Sequence, residues 1–392
     1  MVCVGDLSAD KHTAKLLLKL REIQPELEIW GLGSRAMRES GVEILYDCKD
    51  FSSVGIFNIA KLVPFFFGVR QRLFAEIKAR KPKAVLLVDF GGFNLGFATD
   101  LKRRFKELPI YYFISPQIWG SRPWRINVLA QTVSKVFVIF PFEKQIYAKR
   151  NIPVRFVGHP LTKNLPSIST LMTRAQFCKK YDLSPDKPII AIFAGSRKSE
   201  IKNLLPVVVQ AVNWLSQLRT DLQFAFSQAN EDIGKIVVEV LDASRSKRAS
   251  NNSTRTIFSS DNYSLMSVSD LVWAKSGTTT LEATLFGKPM LIFYRGDWLS
   301  YLTFLAFKRV KRVGWPNLLA GKSLVPELIQ LDCRAEQLVK YTLDLIDVPK
   351  LREEITQELL SLRDQLGEGD YASDCALELA RALQTQEIVA AN

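Results

Sequence analysis

The chain has 392 residues, 47% of them hydrophobic and 24% charged, which suits two domains with their own cores and excludes a disordered chain. Lys and Arg number 53 against 40 Asp and Glu, and the net charge of +13 points to an anionic partner: nucleotide phosphates, nucleic acid or an anionic membrane. Cys3, Cys48, Cys178, Cys333 and Cys375 are scattered, and His12 and His159 are the only histidines, so a disulfide framework and a zinc site are not expected and a reducing cytoplasm is.

Short apolar runs alternating with amphipathic stretches of helical length predict strand-helix units and parallel sheets. Val2 to Val4, Leu27 to Trp30, Ala84 to Val88, Ile110 to Ile114 and Val136 to Phe140 read as a first series of strands. Val2 to Val4 is short for a central strand, as if a few residues were lacking there, and the composition of the N-terminal stretch does not predict a signal peptide. The polar stretch Gly158 to Pro166 reads as a linker. A second series follows: Ile189 to Phe193, Leu222 to Ala225, Thr256 to Phe258, Leu271 to Ala274 and Met290 to Tyr294. The pattern predicts an α/β protein of two doubly wound Rossmann-like domains facing across a cleft, with ligands at the carboxyl ends of the strands. Ser244 to Arg255 reads as a basic surface loop, and no internal repeat is present.

Several strand ends carry chemistry. The turn from Gly5 to His12 offers Asp6, Ser8 and Asp10, as site residues or as helix caps. Gly31 to Ala36 imitates a dinucleotide fingerprint, but no strand with a ribose carboxylate follows at the required distance. Ile56 to Arg70 is apolar on most faces yet too short to span a bilayer, and reads as an interfacial segment or a core helix. Asp89 sits at a strand's carboxyl end before Phe90-Gly91-Gly92, where a general base or a turn-forming aspartate belongs.

In the second half, Gly195-Ser196-Arg197 makes a glycine turn before a helix, with Arg197 able to neutralise a departing phosphate. Lys275-Ser276-Gly277-Thr278-Thr279-Thr280-Leu281-Glu282 has two readings. Its helix start can hold phosphates while Glu282 accepts from ribose hydroxyls, or Thr279 and Glu282 form a capping box that needs no ligand. Trp298 to Phe307, followed by Lys308 and Arg309, pairs aromatics with bases as an acyl chain beside an anionic head group would require. Trp119, Arg122, Trp124 and Arg125 repeat the theme. Such interleaving also suits single-stranded nucleic acid, but no nucleic-acid fold signature accompanies it and no such partner is expected.

In this order and spacing the segments resemble lipid-A-disaccharide synthase, a membrane-associated inverting glycosyltransferase family of GT-B fold. The resemblance runs from Gly5 to about Cys333. It includes Ser115-Pro116-Gln117-Ile118-Trp119, Phe140-Pro141-Phe142-Glu143-Lys144, Val157-Gly158-His159-Pro160 and Pro316-Asn317-Leu318-Leu319-Ala320-Gly321. It implies an acceptor and membrane-contacting domain over 1–160, a UDP-sugar domain over 161–350, and C-terminal helices over 351–392 that cross back to the first. It implies transfer of 2,3-diacylglucosamine from UDP-2,3-diacylglucosamine to the 6-hydroxyl of 2,3-diacylglucosamine 1-phosphate, giving a β-1,6 disaccharide phosphate and UDP.

In that reaction Asp89 is the base, and Gly195, Ser196, Arg197, Ser276, Gly277, Thr278, Thr279 and Glu282 hold the nucleotide. Asp6, Ser8, Asp10, Asn94 and Asn317 lie on the acceptor side. Phe65, Phe66, Phe67, Trp298, Lys308 and Arg309 meet the cytoplasmic face of the inner membrane. No cofactor is implied, and no Asp-x-Asp motif calls for a metal. Three departures stand out: Asp6 and Ala9 replace the family's usual glutamate and glycine, and Gly92 replaces a second aspartate. A divergent transferase or epimerase with another substrate, or a non-catalytic lipid- or nucleotide-binding relative, are the alternatives these departures keep open.

Overall fold

The computed structural model of the chain describes residues 1–49, 59–120, 122–195, 198–228, 234–240, 255–296, 312–367 and 369–391. The chain forms two compact units, residues 1–163 joined by the C-terminal stretch from Leu366, and residues 164–365.

The first unit is a seven-stranded parallel sheet in the order β3-β2-β1-β4-β5-β6-β7. Its strands are β1 (Val2–Val4), β2 (Trp30–Gly33), β3 (Glu43–Asp47), β4 (Val85–Val88), β5 (Ile110–Phe113), β6 (Lys135–Val138) and β7 (Val154–Phe156). Strand order reverses between β1 and β4, which in a doubly wound sheet opens a crevice at the carboxyl edge. Although only three residues long, β1 is central and buried on both sides. Cys3 joins the layer beneath α3 (Ile59–Arg80) and α4 (Gly91–Arg104). Val2 and Val4 join the opposite layer, beneath α1 (Leu7–Ile23).

The second strand begins later than its apolar run, because Gly31 and Leu32 rather than Leu27 pair with β1. A Cβ at Gly31, which has φ +150°, would lie 1.9 Å from the Val2 carbonyl oxygen. One at Gly33 would meet the Met37 sulfur at 2.6 Å, so the glycine pattern here serves close packing.

The second unit is a six-stranded parallel sheet in the order β10-β9-β8-β11-β12-β13, reversing between β8 and β11. These are β8 (Ile189–Phe193), β9 (Gln223–Ser227), β10 (Thr256–Ser259), β11 (Leu271–Lys275), β12 (Met290–Tyr294) and β13 (Glu327–Ile329). The helix Pro349–Gln365 belongs to this unit, burying Ile355, Leu359 and Leu362 in its core. The last helix, Tyr371–Ala391, belongs to the first unit: Tyr371, Cys375, Ala376 and Leu379 join the apolar layer of Leu16, Leu17 and Leu20 from α1. All five cysteines are buried and free, and no described helix is long and apolar enough to cross a membrane.

Candidate active site

In the first unit, the parallel pairing of Val4 with Val88 brings the residues after β1 and β4 side by side at the carboxyl edge. Gly5 lies flush on the ring of Phe90, where an added Cβ would approach ring carbon to 2.0 Å. Asp89 and Phe90 both adopt left-handed backbone, φ 42° and 48°. Non-glycine residues hold that conformation only where their surroundings fix it. Here the Tyr112 hydroxyl donates to the Asp89 carbonyl at 2.5 Å, and Asn94 Nδ2 donates to the same oxygen at 3.0 Å and to that of Val88 at 3.1 Å. The strained turn aims the Asp89 carboxyl at Asp6. Burial first, then the Asp6 charge and a hydrogen bond between the two side chains, raise the Asp89 pKa to about 6.

Asp6 is also the N-cap of α1, its Oδ1 accepting from Ser8 N at 2.8 Å and Ala9 N at 2.9 Å. Ser8 is exposed beside it. Asp10 departs from the acceptor-side expectation. It is 2% exposed, and its two oxygens accept from the amides of Ser34 at 2.6 Å and Ala36 at 2.9 Å, which fixes the short helix Arg35–Glu39. Asn94 is wholly buried and holds backbone carbonyls of the Asp89 turn, so it positions that turn instead of facing an acceptor. Asn317 is likewise tied down: Nδ2 donates to Val325 O and Glu327 Oε1, both at 2.8 Å, while Oδ1 accepts from the amides of Leu324 and Val325. These bonds use the amide's capacity within one loop of the second unit and leave none for a ligand.

Sequence reasoning passed over Glu143. The motifs Ser115 to Trp119 and Phe140 to Lys144 meet through it, for Trp119 Nε1 donates to Glu143 Oε1 at 3.1 Å and the Phe140 amide to Oε2 at 3.2 Å. Burial lifts its pKa to about 7 against those donors. Phe140 also packs on His159, ring centroids 4.9 Å apart, and burial lowers the His159 pKa to about 3. The imidazole is therefore neutral at physiological pH, with Nδ1 accepting from the Leu161 amide at 3.1 Å.

Of the aromatic insert, Phe65 and Phe66 are half-buried, Phe66 lying 5.8 Å from Phe90 and 5.5 Å from Phe93 between ring centroids. Phe67 projects, 63% exposed, as does Val63 at 61%. Trp298, Lys308 and Arg309 lie outside the described residues.

In the second unit, β11 is followed by Ser276 and Gly277, and α11 runs Thr278–Leu285. Gly277 takes φ +151°, a conformation side chains disfavour, and no side chain caps the helix. Thr279 lies inside the helix and Gly277 is its N-cap, so the Thr279–Glu282 capping box does not form. The helix start is open for an anion, with Gly277 and Thr278 exposed and Ser276 and Thr279 half-buried. Glu282 instead accepts from the Tyr263 hydroxyl at 3.2 Å. Its pKa is raised by burial, against which the tyrosine hydrogen bond acts. Tyr263 went unsuspected because nothing in its local sequence links it to Glu282. Gly195, with φ +115°, ends the β8 turn, and Ser196 and Arg197 lie outside the described residues.

Known proteins share this organisation. Lipid-A-disaccharide synthase 1 of Legionella pneumophila (strain Paris) is 34% identical over 377 residues, covering 96% of this chain and 95% of its own. The lipid-A-disaccharide synthase of Syntrophus aciditrophicus (strain SB) is 31% identical over 367 residues, covering 94% and 93%. Among solved structures, UDP-GlcNAc 2-epimerase from Neisseria meningitidis bound to UDP-GlcNAc matches with TM-score 0.59 at 14% identity, over 98% of this chain and 99% of that one. The glycotransferase of kitacinnamycin matches with TM-score 0.58 at 13% identity over 97% of each chain. Those two likenesses speak for the fold, two Rossmann-like units of GT-B type. Lipid-A-disaccharide synthetase is the family that matches residues 1–375, and the chain, a glycosyltransferase that uses a UDP-sugar donor, belongs to it.

Proposed function

We propose that the chain joins two acylated glucosamines, taking 2,3-diacylglucosamine from its UDP donor to the 6-hydroxyl of 2,3-diacylglucosamine 1-phosphate. The observation that carries the reading is Asp89, a carboxylate held in a strained turn at the sheet's carboxyl edge with its pKa raised to about 6. A base with that pKa is unprotonated at neutral pH and basic enough to receive a hydroxyl proton as the bond forms. The acceptor oxygen attacks the anomeric carbon, its proton passes to Asp89, and the bond from that carbon to the diphosphate breaks with inversion. UDP leaves with the bonding pair. The amides at Gly277 to Thr279 and the Arg197 guanidinium neutralise it, and Glu282 holds the ribose.

Asp6 and Ser8 are the acceptor-side groups of this reading, since Asp10 and Asn94 are committed to backbone and Asn317 to backbone and Glu327. Phe67 and Val63 enter the acyl layer at the cytoplasmic face of the inner membrane, where both lipid substrates reside.

The test is a detergent-micelle assay with both acylated sugars, following the tetra-acyl disaccharide phosphate by mass spectrometry. Product from the parent chain and a loss of about a thousandfold or more in Asp89→Ala is the expected result, in the range of a removed general base. An Asp89→Ala variant as active as the parent refutes the assignment.

A further inference from the structure

Tyr263 is the second residue of α10 (Asn262–Val268), the helix that follows β10 and is capped by Asp261, whose carboxylate accepts from Ser264 N at 3.0 Å. Its ring stacks on Phe286, centroids 6.1 Å apart and planes 23° from parallel. Phe286 is one helical turn beyond Glu282, so the same face of α11 supports the tyrosine ring and receives its hydroxyl. The ring stack sets where the hydroxyl sits, and the hydrogen bond sets the carboxylate's rotamer. A carboxylate has about four lone-pair positions, and Tyr263 fills one of them on Oε1.

We infer that Tyr263 is a positioning residue for nucleotide recognition: it fixes Glu282 with Oε2 and the remaining lone pair of Oε1 turned toward a pair of vicinal ribose hydroxyls. This rests on the reading of Glu282 as the ribose acceptor. A half-buried carboxylate without such a donor samples several rotamers, and burial works against its charged form. A fixed one accepts two hydroxyls at once. The ligand class so selected is a ribonucleoside diphosphate, and the discrimination falls on the ribose hydroxyls instead of the phosphates, which belong to Gly277 and Thr278.

The test measures dissociation constants of UDP and 2′-deoxy-UDP by calorimetry on the full chain, on Tyr263→Phe and on Glu282→Gln. Phenylalanine keeps the stack on Phe286 and removes only the hydroxyl. Tyr263→Phe is expected to weaken UDP about tenfold and 2′-deoxy-UDP clearly less, as loss of a hydrogen bond to a charged group predicts. The preference for ribose over deoxyribose therefore narrows. Unchanged or tighter UDP binding in Tyr263→Phe, or equal weakening of both ligands, overturns the inference while Glu282→Gln still weakens UDP. If Glu282→Gln leaves UDP binding unchanged, the ribose reading itself fails and the inference with it.

Discussion

Replacing Asp6 with Asn separates the two jobs its carboxylate performs. Asparagine keeps an oxygen for the amides of Ser8 and Ala9, so the cap on α1 survives, while the negative charge beside Asp89 disappears. Asp89 stands at about 6 against an ordinary 3.8. Burial is the largest cause and remains in the variant, so only part of the difference is returned, roughly one pH unit or about 1.4 kcal/mol.

A base must be unprotonated to work, so kcat/KM rises with pH through about 6 in the parent and is flat above. In Asp6→Asn the rise should move toward roughly pH 5, and the plateau should fall about threefold because a less basic group accepts the proton less readily. UDP release followed between about pH 4.5 and 8.5 reads both quantities at once. A rise that stays near 6, or moves upward, refutes the electrostatic pairing of Asp6 with Asp89.

Two further outcomes follow from other parts of the first unit. Glu143 has its folded-state pKa raised to about 7 from 4.5, so the proton is bound more tightly in the folded chain. Its contribution to stability is therefore full below 4.5 and is lost as pH rises through about 7, by up to about 3 kcal/mol. Glu143→Gln should flatten the fall in thermal midpoint between pH 5 and pH 8 relative to the parent, and an equal fall in both chains refutes the assignment. Val63→Ser with Phe67→Ser removes two exposed apolar side chains of α3 and should weaken sedimentation with anionic vesicles by about tenfold or more, with melting little changed. Undiminished vesicle binding places the membrane contact elsewhere.

The central strands were legible because residues buried on both faces must be apolar. The strands missed are edges, for different reasons: β3 carries Glu43 and Asp47 and no fully buried residue, while the three-residue β7 and β13 carry Arg155 and Glu327, which leave no continuous apolar run. The residues at the strand ends were legible as types and not as roles. Asp10 and Asn317 have the chemistry of ligand contacts, yet their partners are amides 24 and 7 residues away that only the folded chain brings near. Thr279 and Glu282 have capping-box spacing, and what decides against the box is that the helix starts from Gly277, a backbone choice the octapeptide does not dictate. Glu143 was hidden by its helix-capping position, which explains the glutamate without its burial.

The helix Tyr371–Ala391 gives the first unit a late last piece. At the ribosome, β1 to β7 emerge early, but the apolar stripe of Leu16, Leu17 and Leu20 waits for Tyr371, Cys375 and Leu379 until the stretch 164–365 has been made. At roughly 5–20 residues per second that wait lasts on the order of 10–40 s. Throughout that interval the nascent first unit carries an apolar stripe without its covering helix, and a chain halted within the second unit never receives it.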